Sequence, residues 1–129
     1  SKHLKAAKAE ETLIATIMQN PDFYRKIKDK VSEDIFVTDF NRRVWHALAS
    51  RLDEGRETEL SLISAEFTPE EMGRIARFAS MTDQLSNTVT ECDDCIKVLE
   101  KEKNKMSVSD VSQLSDDEFR NLFKNPNGS

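Results

Sequence analysis

Turns are scarce in this chain: its 129 residues hold three glycines and three prolines, about 5% together against a usual ~12%. An all-β fold needs a reversal every few residues, so the shortage favours helix. Cysteine is almost missing as well. Cys92 and Cys95 alone cannot staple a small secreted domain, and a reducing cytoplasmic setting is expected. No run approaches the ~20 apolar residues of a membrane span, and no signal-peptide core is present. Positive charge is in deficit, with 19 Lys and Arg against 24 Asp and Glu, net −5. That argues against bulk electrostatic binding of nucleic acid, which needs a concentrated basic surface. Arg25–Arg51 is mildly basic, seven residues against four, and reads as solvated helix faces.

What is present is ample for a core. The chain is 37% hydrophobic and 33% charged, a globular composition with a heavily solvated exterior. This length can bury roughly two-thirds of its unfolded surface. Since it starts at Ser1 and not Met, the chain is expected to be a piece of something longer. The division expected is a helical bundle over 1–84, then a long helix with a terminal helical element over 85–129.

Apolar residues at helical spacing predict the elements. Leu4, Ala7, Leu13, Ile14, Ile17 and Met18 mark a first helix over Leu4 to Gln19. Asn20-Pro21 ends it and opens a second, carrying Phe23, Ile27 and Val31 at four-residue steps beside Tyr24. Thr38 caps a third helix with Phe40, Val44, Leu48, Leu52 and Trp45 inward, and Gly55 stops it. Ser61 to Phe67 can form a short helix with Leu62, Ile63 and Phe67 inward. Thr68-Pro69-Glu70-Glu71 is a capping box, followed by Met72, Ile75, Ala76 and Ala79 on one face, while Gly73 would permit a close helix crossing. Val89, Cys92, Ile96 and Leu99 form the seam of the longest helix, about Ser86 to Lys105, which projects beyond the core. Met106 to Leu114 reads as a polar, Ser-rich connection. Ser115-Asp116-Asp117-Glu118 is a second capping box, opening a short helix with Phe119, Leu122 and Phe123.

No constellation for catalysis emerges. Cys92-Asp93-Asp94-Cys95 has the spacing of redox and metal sites, but such thiols sit at a helix start, where the dipole lowers their pKa. Here they lie inside a helix among acids, and a zinc site would need about four ligands. His46 beside Trp45 has no assignable nucleophile or orienting acid. Glu10-Glu11 and Glu70-Glu71 suit early helical turns better than acid–base work. The three glycines are scattered, so no phosphate-cradling loop exists. Neither a catalytic residue, a metal nor a cofactor is expected. Phe119, Leu122 and Phe123 lie in a helix too short to stand alone. They pack either on the chain's own long helix or on a partner.

Ala9-Glu10-Glu11-Thr12-Leu13-Ile14, the Asn20-Pro21-Asp22-Phe23 break, Phe36, and Asn41-Arg42-Arg43-Val44-Trp45 through Gly55 resemble two related bacterial modules. One is the C-terminal helicase-binding domain of DnaG-type primase; the other is the N-terminal domain of the DnaB-type replicative helicase. Asn41 stands where His is common, at what reads as an exposed capping position. Helicase N-terminal domains usually carry Gly-Gly before an aromatic segment, and none is here. Ser64 to Phe78 followed by the Val89–Lys105 helix looks like the primase version.

The resemblance implies an all-α bundle of about five to six helices, with a long helix leading to a terminal helical element. It implies a non-catalytic module of a primase that binds the N-terminal collar of the hexameric replicative helicase and modulates it. Leu114, Phe119, Leu122 and Phe123 would be the apolar contacts, with Lys97, Lys101 and Arg120 as rim charges. No nucleic acid or membrane contact is expected, and the piece would be monomeric in isolation. The alternative is the helicase's own N-terminal domain, which self-associates and binds primase.

Overall fold

The computed structural model describes residues 4–81 and 83–112, with side chains through Lys105. Among the described residues every element is helical, in the order α1 Leu4–Gln19, α2 Tyr24–Ile27, α3 Asp39–Asp53, α4 Leu60–Ile63, α5 Pro69–Ala79 and α6 Val89–Ser112. Tight 3-10 turns at Pro21–Phe23, Lys28–Lys30, Glu33–Ile35 and Ser64–Glu66 join them. The expected all-α bundle is what forms.

α1 is the central element. Ala6, Ala9, Leu13, Ile14 and Ile17 are buried at three- and four-residue steps, and the helix packs against α3, α5 and α6. It stops where Pro21 pushes Asn20 out of helical geometry, to φ −134° and ψ 72°. α6 runs back along α1: the Thr16 hydroxyl lies 3.5 Å from Glu91 Oε1, so the end of α1 meets the start of α6. Across the core, Phe36 stacks on Trp45 at 5.5 Å between ring centres and Trp45 on Tyr24 at 6.0 Å. The Tyr24 hydroxyl donates to Asp53 at 2.8 Å. Burial and then the acceptor Asp53 both push the Tyr24 pKa up.

The starts of α5 and α6 obey capping chemistry. Glu71 N donates to the Thr68 hydroxyl at 3.1 Å and Thr68 N to Glu71 at 3.0 Å. Thr88 and Glu91 make a related cap, with Glu91 N donating to the Thr88 hydroxyl while Glu91 accepts from Ser86 N and Asn87 N. Asn87 takes a left-handed φ of 54° there, a conformation that asparagine tolerates better than most residues.

Several local expectations are overturned. The second helix is one α-turn flanked by 3-10 turns, because Lys28-Asp29-Lys30 offers no apolar side chain to hold a longer helix on the core. Leu62 is 45% exposed and Ile63 takes the inward place. On α5 Phe78 is buried and Ala76 exposed. A side chain at Gly73 would meet nothing within 4 Å, so no helix crosses closely there. Backbone helix continues through Ser112 where a polar connection was expected. Asn41 is only 2% exposed, far from an open capping position.

Candidate interaction surface

α6 divides its faces between core and solvent. Of the expected seam, Cys92, Ile96 and Leu99 are buried and Val89 is partly buried, and Cys95 is buried beside them. Lys97 and Lys101 lie exposed on the outer side. Two hollows flank that ridge. One of about 470 Å³ lies between α1 and α6, with Ala9, Thr12, Cys95 and Val98 along it. At one end stand Lys5, Lys8, Lys101 and Glu102, and toward the other Asp94 and Glu91. The second, about 580 Å³, is lined by Asp29, Lys30, Asp93, Ile96, Lys97 and Glu100 and is bridged by a Lys30–Asp93 ion pair of 3.0 Å. Of the residues expected to grip a partner, the structure thus places Lys97 and Lys101, one on the border of each hollow. Leu114, Phe119, Arg120, Leu122 and Phe123 lie outside the described residues.

The groups with catalytic potential are otherwise engaged. Burial, reinforced by Glu91, raises the Cys92 thiol to about 11 and the Cys95 thiol to about 12. Thiolate is the nucleophile and the metal ligand, so both cysteines serve as small apolar side chains. Among the described residues, no group of three or more His, Cys, Asp or Glu is placed to hold a metal ion. Nor is any described helix long and apolar enough to cross a membrane.

Glu10 was expected to answer its own helix dipole, and instead it is spent on another helix. It is fully buried and accepts from Val37 N at 2.6 Å, Thr38 N at 3.3 Å and Asn41 Nδ2 at 2.9 Å. Thr38 makes no side-chain cap, so the carboxylate of α1 holds the entry to α3. The sequence carries a signal for this: Glu10 falls four residues from Ala6 and Ile14, on the buried stripe. Arg42 braces the same corner, donating to the Phe36 carbonyl at 2.5 Å.

Cations also line the α3–α5 face, where spacing alone gave no warning. Arg43 pairs with Glu71 at 2.7 Å and sits 5.1 Å from the Phe67 ring centre, and Arg74 lies 4.0 Å over Phe40. The Arg43 guanidinium, with the Thr68 N–H, holds the Glu71 carboxyl down to about 2.

His46 is solvent-facing, its Nδ1 2.9 Å from Glu33 Oε2. The Glu33 carboxylate raises its pKa. A raised folded-state value means the pair stabilises the fold below the ordinary histidine value, near 6.5. The contribution disappears as pH climbs through the raised value. Because both side chains are half-exposed, the effect on stability is small. Glu33→Gln is expected to move the imidazole titration back toward the ordinary value in an NMR pH series. An unmoved titration would mean the contact does not persist in solution.

This architecture has a counterpart among known proteins. The model of the DnaB-like helicase N-terminal domain matches residues 2–102, from α1 through the buried part of α6. No curated protein and no solved structure matches the chain. The match is to the second of the two modules named above, the one that the missing Gly-Gly argued against, and it includes Ser64 to Phe78. On the strength of a match over well more than half its length, the chain belongs to the DnaB-like helicase N-terminal domain family.

Proposed function

We propose that this chain is a non-catalytic interaction domain from the N-terminal side of a replicative DnaB-like helicase, self-associating toward a collar and offering a surface to primase. The observation that carries the reading is the family match over residues 2–102. It is supported by the engagement of Glu10, Cys92 and Cys95 inside the fold, which leaves their chemistry to packing and capping. Lys97 and Lys101, exposed on α6, act as rim charges toward a partner. Reversing them slows association more than it weakens the final complex. Leu114, Phe119, Leu122 and Phe123 are the proposed apolar contacts, with Arg120 beside them.

Sedimentation velocity over a concentration series, followed by calorimetric titration with a primase helicase-binding domain, tests this. The expected result is concentration-dependent self-association together with heat on adding the primase domain. A strict monomer that instead binds a hexameric replicative helicase would turn the assignment to the primase module of the same fold. A monomer that binds neither would overturn both readings.

A further inference from the structure

We propose that α6 pairs antiparallel with α6 of a second copy, about a two-fold axis that lies in the interface and crosses the helix at Val98. This rests on the self-association proposed above and names its face and symmetry. Beside the buried seam, α6 carries a second stripe at steps of three, four, three and four: Glu91, Asp94, Val98, Lys101 and Lys105. All but Lys105 border the groove along α1. Asp94, Lys101 and Lys105 are exposed, and Glu91 and Val98 are half-buried. The stripe is acidic before Val98 and basic after it, so it complements its own reverse. Turned about Val98, Lys101 meets Asp94 of the second copy and Lys105 meets its Glu91, and each contact occurs twice. A parallel pairing would set like charge on like charge.

The flanking groups agree in sign. Lys5, Lys8 and Lys101 stand with Glu102 at one end of the groove, and Glu91 and Asp94 at the other. Three lysines and one carboxylate leave the first end positive, while two carboxylates make the second negative. Glu102 does not undo this, because its side chain is 12% exposed and pairs with Lys105 at 3.6 Å. Among the described residues Lys5, Lys8, Asp94 and Lys101 form no ion pair within the molecule. Glu91 uses Oε1 in capping α6, so Asp94 and Lys101 are the decisive pair. At the axis Val98 meets Val98 of the second copy, the apolar centre of the contact. The stripe is one helix wide and ~21 Å long at 1.5 Å per residue. That is small beside a standard interface of ~800 Å² per partner. The pairing is therefore weak, held by charge and sensitive to salt.

Charge exchange in the full chain, read by sedimentation equilibrium, tests the pairing. Asp94→Lys and Lys101→Glu each set like charges face to face, and each is expected to weaken self-association at least ~10-fold. Asp94→Lys with Lys101→Glu in one chain restores complementarity in the opposite sense and should return to within ~3-fold of the parent. An equimolar mixture of the two single variants should associate as the parent does, which also shows that neither substitution unfolds the domain. Salt at about 1 M, where the Debye length is ~3 Å, should weaken the parent and the exchanged variant alike. A parent that self-associates while both single variants match it overturns the α6 pairing and leaves the collar reading standing. Weakened single variants that neither exchange nor mixing rescues overturn the pairing as well. A parent that is monomeric at every concentration overturns the pairing and the self-association together.

Discussion

Glu10→Ala is expected to lower the unfolding free energy by about 3–5 kcal/mol, a large part of the ~5–15 kcal/mol that holds a domain of this size. The reason is the arrangement at the start of α3, where Val37 N, Thr38 N and the Asn41 amide all donate to one buried carboxylate. Removing the acceptor strands the buried Asn41 amide and leaves the part-buried Val37 and Thr38 N–H groups unpaired, and a buried unpaired group costs about 1–3 kcal/mol. Glu10→Gln separates charge from shape. Its amide has one oxygen, so with that oxygen on the Val37 and Thr38 N–H groups its NH₂ faces Asn41, whose amide must turn over to accept through Oδ1 and leaves its own NH₂ without an acceptor. It should cost about half as much as alanine. Urea unfolding followed by Trp45 fluorescence reads both variants, because Trp45 lies on α3 with Phe36 against it. A glutamine variant as stable as the parent would show that the second carboxylate oxygen is not needed to hold α3.

The next largest effect is at α6. Leu99 is completely buried in the seam facing the bundle, and Leu99→Ala should cost about 2–5 kcal/mol through lost transfer energy and the cavity left behind. Lys97→Glu and Lys101→Glu, one helical turn apart on the solvent side, should stay within about 0.5 kcal/mol of the parent. Thermal unfolding of the three proteins gives the contrast. Equal melting of Leu99→Ala and the parent would mean that α6 is not a wall of the core.

The same helix shows how much could be read in advance. Val89, Cys92, Ile96 and Leu99 are spaced so regularly that the buried face of α6 was legible, as were the C-terminal end of α1 and the Thr68–Glu71 cap. Its length was not. Serine lowers helix propensity only mildly, and 106–112 contain neither Gly nor Pro, so a helix once started has nothing there to stop it. Glu10 and Asn41 escaped for another reason. Their partnership spans 31 positions, and local pattern carries no information about a contact that distant. Phe78 over Ala76 on α5 was a matter of rotating one stripe by part of a turn. The choice between two modules of shared fold turned on an absent Gly-Gly pair, a loop feature. Loop sequences vary more readily than buried stripes, and the family match rests on residues 2–102 as a whole.

The antiparallel embrace of α1 and α6 has a consequence for biosynthesis. The Thr16–Glu91 contact joins positions 75 apart, and α6 is a principal neighbour of α1. A ribosome therefore delivers α1 long before the surface that covers it. Until the stretch holding Cys92 to Leu99 has left the exit tunnel, the face of α1 that carries Ala9, Thr12 and Thr16 stays uncovered, so the nascent domain closes late and all at once.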